Sequence, residues 1–323
     1  MRTIPLERRG ITNSRIAFGC MGLGKSQNPT SEEDILIAER AIDAALSAGI
    51  TFFDHADIYS RGNAEAVFGQ ALRRRPELKD QMVIQSKCGI GLPDEKFGKR
   101  YDFSKEHILY SVDSSLRRLG VEHLEVLLLH RPDSLMEPDE IAEAFNTLRS
   151  SGKVRHFGVS NMSVSQIKFV QSALREPLVA NQLDLSLNRL DWLDQGVTVN
   201  RKIDKVVRFP EGTLEHCRME NIQIQSWGPL AQGRFTGRTM DQPTETERLT
   251  TELVQRMANE RETTPEAIVL GWLMRHPAMI QPVIGTVNPS RIVACADAVR
   301  QSEIMTREEW YALYMSSRGN DIP

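Results

Sequence analysis

Asp54, Tyr59, Lys87 and His130 are the residues of this chain best suited to chemistry. Each closes or follows an apolar run: ITFFDHADIY carries Asp54 and Tyr59, MVIQSKC carries Lys87, and LEVLLLH ends in His130. A free tyrosine has a pKa of about 10 and holds its proton at neutral pH. A lysine ammonium beside it favours the phenolate and lowers that value. Asp54 can hold Lys87 by a charge-assisted bond. A neutral His130 can orient a carbonyl or tune the phenol. Together the four suit delivery of one proton to an oxygen that is gaining charge. They offer neither a hydride nor a nucleophile, so a cofactor must bring the hydride. Singly, each has a plain explanation. Tyr59 can be a packed amphipathic residue, Asp54 a turn or cap residue and His130 a structural histidine. Lys87 is harder to explain that way, because lysine is rarely buried without a partner.

The elements that must position them alternate. SRIAFG, ITFFD, MVIQSK, LEVLLLH, VRHFGVS, LVANQ, IQIQSW and PVIGT read as eight short strands, apolar along most of their length. Helix signals lie between them. Thr30 and Glu33 read as a capping box opening a helix that stops before Gly49. A helix covers 63–74, another runs from a Ser104 cap to Gly120, and another starts at Pro138 and ends before Gly152. Ser163 and Gln166 form a further capping box, and later helices cover 212–220, 247–259 and 265–275. This βα cadence predicts a single (β/α)8 TIM barrel over 1–323, a fold that takes ~250 residues or more. A doubly wound sheet with a second domain is the competitor, but no composition break or Pro/Gly/Ser linker marks a boundary. IPLERRGITNSR predicts a short N-terminal hairpin closing the barrel's bottom. Strands of such a barrel carry their last residues to the carboxyl edge, where α/β enzymes keep their chemistry.

Composition narrows the partners. The net charge of -3 gives no reason to expect nucleic acid or an anionic membrane. The N-terminus MRTIPLERRG has no apolar core of a secretory signal, and no apolar run approaches a membrane span. Cys20, Cys88, Cys217 and Cys295 are scattered and form no CxxC, which predicts free thiols and a cytoplasmic setting. Cys88 reads as a small buried side chain. His55 and His107 read as surface or loop residues, and Arg73-Arg74-Arg75 as a solvated helix end. No metal site is expected: a metal hydrolase on this barrel would want several ligands at strand ends, and only Asp54 and His130 are offered.

With these residues the chain resembles the aldo-keto reductase family, most of all its bacterial NADPH-dependent oxidoreductases. FFDHADIY, QSKCG and LLLHRPD match the family's motifs in order. GKVRHFGVSN, NQLDLS, SWGPLAQGRF and VIGT…R extend the likeness over almost the whole chain. The resemblance implies a (β/α)8 barrel binding NADPH across the carboxyl ends of its strands, with Asp54, Tyr59, Lys87 and His130 as the catalytic tetrad. It is no Rossmann fold, and no GxGxxG follows a first strand. Ser160, Asn161 and Gln182 fall where the family holds the nicotinamide carboxamide. Trp227 falls where a ring stacks on the nicotinamide. Gly228, Pro229, Leu230, Gln232, Gly233 and Arg234 fall near the pyrophosphate, and Gly285, Thr286 and Arg291 near the adenosine 2′-phosphate. Cys20 and Met21 would line the site through backbone, and Asp54 would touch the cofactor as well. On local grounds alone Trp227 reads as core, Ser160-Asn161 equally as a cap for the helix at Ser163, and Arg291 as a solvated helix residue.

Some positions depart from the family pattern. Gly285 stands where many members have Lys, which removes one cation from the phosphate site. Ala294 and Cys295 stand where many have Glu-Asn, which removes adenine contacts. The usual Tyr-Gly is Tyr59-Ser60, a change that reads as harmless. The expected activity is transfer of hydride from NADPH to an aldehyde or ketone, with Tyr59 donating the proton. The alternative is a nicotinamide-binding regulatory or sensor subunit. The partner is a small carbonyl substrate, and the resemblance suggests a monomer. Substrate loops are expected at 26–29, 91–100 and 191–209 and in the tail after Trp310, with Trp192 walling a pocket or simply packing.

Overall fold

The computed structural model describes residues 3–29, 31–93, 95–202, 206–239 and 241–323. Eight parallel strands close into a barrel in sequence order: β1 Ala17–Gly19, β2 Phe52–Asp54, β3 Val83–Cys88, β4 Leu124–Leu129, β5 Val154–Ser160, β6 Ala180–Asp184, β7 Gln223–Trp227 and β8 Gln281–Ile284. β8 returns to β1 through Ala17 opposite Val283. Period-two alternation sorts each strand's residues between two cores. Phe52, Val126 and Leu128 join the barrel interior, while Phe53, Leu127 and Leu129 join the layer beneath the helices. The strands are therefore apolar on both faces, as a covered parallel sheet requires.

The helices are α1 Pro5–Arg8, α2 Glu32–Ser47, α3 Asn63–Arg74, α4 Lys105–Leu119, α5 Pro138–Ser150, α6 Val164–Gln171, α7 Asp191–Val197, α8 Thr213–Met219, α9 Glu245–Glu260, α10 Pro265–Arg275, α11 Pro289–Ala294, α12 Ala298–Ile304 and α13 Arg307–Arg318. Several boundaries follow the local chemistry. Ser104 caps α4 by accepting from the His107 N–H, and Gly120 ends it at φ +69°. The Ser163–Gln166 capping box opens α6. α2 starts one position later than its sequence suggests: Ser31 accepts from the Asp34 N–H, and Thr30 lies outside the described residues. α3 and α4 pack so closely at Gly69 that an added Cβ would fall 2.0 Å from the Arg118 carbonyl oxygen.

The hairpin expected at the N-terminus is not there. Pro5 sits at the start of α1, where its fixed φ and missing N–H suit a helix. Ile4, Leu6 and Ile11 all bury with Phe52, Val126 and Leu128, so the segment plugs the barrel's interior rather than pairing at its edge. The tail after Trp310 is also not a loop. Residues 311–318 belong to α13, whose Leu313 and Tyr314 are buried, and 319–323 follow it. Trp192 packs, edge-on to Trp272 at 5.7 Å between centroids, and Trp310 stacks on Trp272. Of the expected loop at 191–209, the first part is α7, and 203–205 lie outside the described residues. Among the described residues no helix is long and apolar enough to cross a membrane.

Candidate active site

Strand ends bring the four chemical residues together. Asp54 is the last residue of β2, Lys87 sits near the end of β3, and His130 follows β4. Tyr59 begins a one-turn helix after β2. That turn is unusual: Ser60, Arg61 and Gly62 all have positive φ, at 49°, 56° and 89°. The family glycine after the tyrosine therefore answers a real backbone demand. Here Ser60 meets it, and its hydroxyl donates to the Leu23 carbonyl at 2.9 Å.

Lys87 is fully buried and its ammonium spends all three protons. One goes to Asp54 at 2.7 Å, one to the His55 carbonyl at 2.8 Å, and one to the Tyr59 hydroxyl at 3.0 Å. Tyr59 therefore accepts from Lys87, which leaves its own O–H free to donate elsewhere. Burial lowers the Lys87 pKa, yet Asp54 and Tyr59 together hold it above its ordinary value, so it stays charged. The phenol departs from the sequence expectation. Burial raises the Tyr59 pKa and outweighs the lowering by Lys87, while the Asp54 charge adds to the rise. The contact with Lys87 is present, but it limits an upward shift rather than producing a net acidification. Tyr59 therefore keeps its proton at neutral pH.

His130 stands edge-on to Tyr59, with centroids 6.0 Å apart. Burial, then the charges of Lys87, Arg131 and Lys99, push its pKa down to about 2, so the ring is neutral. Its Nδ1 is buried without a partner among the described residues. His55 corrects another expectation: it is fully buried, not at the surface. Alternation turns it away from Asp54 and into the helix layer, edge-on to Phe68 at 4.5 Å. Burial lowers its pKa to about 3. The four cysteines are free and buried, Cys88 among them, and its thiol is pushed well above its usual value by burial.

The residues marked for the nicotinamide converge beside this tetrad. Ser160 closes β5 and donates to the Gln182 carbonyl at 2.9 Å. Asn161, at φ +59°, donates to the His130 carbonyl at 3.1 Å and to the Ser160 hydroxyl at 2.8 Å. Trp227 closes β7, and its indole N–H donates to Asn161 Oδ1 at 3.0 Å. So Ser160 and Asn161 tie strand ends together; the helix cap there is Ser163. The Arg131 guanidinium lies over the Trp227 ring, 5.9 Å from its centroid.

A cleft of about 420 Å³ opens beside Trp227, lined by Asp184, Gly228, Ala231, Gln232, Arg234 and Arg238 among others. Pro229 and Leu230 lie in the same loop, in which Gly228, Ala231, Gln232 and Gly233 all have positive φ. Arg234 pairs with Glu247, so its charge is already matched. Arg291 approaches the loop closely: an added Cβ at Gly233 would lie 3.1 Å from its Nη2. Gly285 has open space around it, and the Thr286 hydroxyl accepts from the Asn288 N–H. Cys20 is inaccessible and Met21 is exposed in the turn after β1.

Sequence reasoning missed the polar layer beneath the tetrad. Gln85 donates to Asp54 at 2.6 Å and to Gln225 at 2.9 Å, and both glutamines are fully buried. The signal was available: Gln85 is two residues before Lys87 and Gln225 two before Trp227, so each shares the inward face. It also missed Glu65, fully buried beneath the Tyr59 turn, which binds the Ser86 hydroxyl at 2.7 Å and the Arg118 guanidinium at 2.7 Å. Among the described residues no group of three or more His, Cys, Asp or Glu is placed to hold a metal ion.

The sequence profile of the Aldo/keto reductase family matches residues 15–311. The chain belongs to that family. It is 35% identical to the 6-dehydroglucose reductase of Agrobacterium fabrum, over 96% of each chain. It is also 35% identical to Oxidoreductase YdhF of Escherichia coli, over 87% of this chain and 88% of that one. Among solved structures, an aldo-keto reductase from Klebsiella pneumoniae in complex with NADPH shares the fold. Its TM-score is 0.70 at 24% identity, covering 93% of this chain and 89% of that one. As a member of the family the chain is an NAD(P)-dependent oxidoreductase.

Proposed function

We propose that this protein is an NADPH-dependent carbonyl reductase, with Tyr59 as the proton donor. The observation that carries the reading is the Lys87 hydrogen bond to the Tyr59 oxygen, which leaves the phenolic proton for a substrate. When bound, the dihydronicotinamide supplies the hydride. Lys87 stabilises the phenolate that forms as the proton leaves, and Asp54 keeps Lys87 charged and in place. Neutral His130 offers a ring N–H to the substrate's carbonyl oxygen, the atom that Tyr59 protonates, and helps to orient it.

The residues present suit a phosphorylated dinucleotide. Trp227 is half-buried at the mouth of the cleft with its edge held by Asn161. The Gln182 amide oxygen takes no hydrogen bond from a described residue, which fits a carboxamide partner. Gly233 leaves room for Arg291 beside the cleft, and Arg238 adds a second exposed cation. These cations favour NADPH over NADH. The same fold holds NADPH in the Klebsiella pneumoniae enzyme. The reading takes residues 1–323 as a single barrel domain, working as a cytoplasmic monomer.

The test is tryptophan fluorescence titration with NADPH and with NADH, followed by steady-state oxidation of the preferred cofactor with aldehydes and ketones. The panel should include 6-dehydroglucose, after the name of the Agrobacterium relative. Tighter binding of NADPH and substrate-dependent loss of dihydronicotinamide absorbance are expected. Cofactor binding without turnover across the panel would favour the sensor-subunit alternative.

A further inference from the structure

The interior of the barrel holds a chain of amides whose direction is fixed at both ends. At one end Asp54 is a carboxylate and can only accept. Gln85 Nε2 donates to it at 2.6 Å and spends its other proton on Gln225 Oε1 at 2.9 Å. At the other end the Ser14 carbonyl can also only accept. Gln281 Nε2 donates to it at 2.7 Å, which presents Gln281 Oε1 to Gln225 Nε2 at 2.9 Å. Both anchors demand the same orientation of Gln225: nitrogen toward Gln281, oxygen toward Gln85. That oxygen then faces Gln182 as well, and Gln182 Nε2 donates to it at 3.1 Å.

Flipping any one of these amides would set N–H against N–H or C=O against C=O. Gln85, Gln225 and Gln281 are fully buried and Gln182 is 2% exposed, so water cannot relieve the mismatch. A buried polar group left without a partner costs about 1–3 kcal/mol. The register supports the same line, since Gln182 lies opposite Gln225 across β6 and β7 and opposite Ser160 across β5 and β6.

We propose that Gln225 is a positioning residue that locks the Gln182 amide with its nitrogen toward Gln225 and leaves its oxygen for a ligand, so that the site selects a nicotinamide ring bearing a carboxamide N–H. The inference rests on the proposed binding of a nicotinamide dinucleotide and adds the group that sets its recognition. It also couples two parts of the site: the Asp54 carboxylate both holds Lys87 and accepts from Gln85 at the head of the amide chain.

The experiment compares three dinucleotides on the whole protein by fluorescence titration: NADP+, its 3-acetylpyridine analogue and its nicotinic acid analogue. The acetylpyridine analogue keeps the ring carbonyl and lacks the N–H. Wild type should bind it about fivefold or more weakly than NADP+, the worth of one hydrogen bond. In Gln225→Met the two affinities should come within about twofold of each other. Gln225→Glu should keep the wild-type ratio. A buried, protonated glutamate still accepts from Gln85 and Gln182 and still donates to Gln281. A merely structural role for Gln225 would shift both affinities together and leave the ratio alone.

The nicotinic acid analogue tests the lock in the wild type, independently of any variant's folding. Its carboxylate only accepts, so a locked Gln182 oxygen should reject it by about 100-fold or more, whereas an amide free to turn would bind it within about tenfold of NADP+. Equal ratios in wild type and Gln225→Met, collapse of the ratio in Gln225→Glu, or tight binding of the nicotinic acid analogue would overturn the inference. Failure of wild type to bind any of the three would instead refute the proposed function.

Discussion

Replacing Lys87 by methionine separates what this site does for stability from what it does for reaction. Methionine fills much of the same volume without the charge. Asp54, only 2% exposed, would lose its ion pair and keep a single side-chain donor, Gln85. Breaking a buried pair by removing one partner costs about 3–5 kcal/mol, because the remaining charge has no match. The His55 carbonyl and the Tyr59 oxygen lose donors in the same step. For the reaction, the phenolate formed on proton transfer loses its nearest cation, and turnover should fall by about 10²–10⁴-fold. The double variant Asp54→Asn/Lys87→Met removes the stranded charge and keeps an acceptor for Gln85. It should recover about 2 kcal/mol or more of the lost stability and none of the turnover. Urea unfolding followed by tryptophan fluorescence, together with steady-state oxidation of NADPH, reads both quantities. Turnover of Lys87→Met within a few-fold of wild type, or recovery of turnover in the double variant, would refute the reasoning.

Three further outcomes follow from buried groups. The His130 ring, held at a pKa of about 2, should show no titration by NMR between about pH 5 and 8, and a midpoint near 6.5 would contradict its neutral role. His55 makes the fold acid-sensitive. Its native pKa of about 3 lies below the unfolded value of about 6.5, so stability falls as pH drops through that window, by about 1.4 kcal/mol per unit. His55→Leu should flatten the acid limb of a stability–pH profile by one proton, and an unchanged slope would locate that sensitivity elsewhere. Gly69→Ala should destabilise by about 1–3 kcal/mol, since its Cβ would collide with the Arg118 carbonyl, and an unchanged unfolding midpoint would show that α3 and α4 can move apart.

The barrel was legible because each strand is a short apolar run between helix signals. The caps at Ser104 and Ser163 are local hydrogen-bonding chemistry that sequence spacing records. The hairpin expectation failed for the opposite reason. IPLER can be read as alternating, but Ile4, Pro5 and Leu6 are buried in a row, with Pro5 opening a helix against the barrel's base, a tertiary fact. The tail beyond Trp310 was misread because its apolar residues bury against α9 and α10 rather than in a self-evident stripe. Three of the four tetrad residues lie at or just past the strand ends where the motifs put them, and Tyr59 follows in the next turn. The Tyr59 pKa was not legible, since its direction depends on a burial that no spacing reveals. The glutamine layer was visible as polar positions on an inward face, but its direction emerges only when Asp54 and Ser14 are both in view.

The most direct test of the account is Tyr59→Phe, assayed for turnover and for cofactor binding in parallel. Phenylalanine keeps the ring and its edge contact with His130 and removes the hydroxyl, which is both the proton donor and the acceptor of one Lys87 hydrogen bond. Turnover is expected to fall by about 10²-fold or more, with NADPH affinity changed by less than about twofold. Turnover within about threefold of wild type would contradict the claim that this phenol delivers the proton.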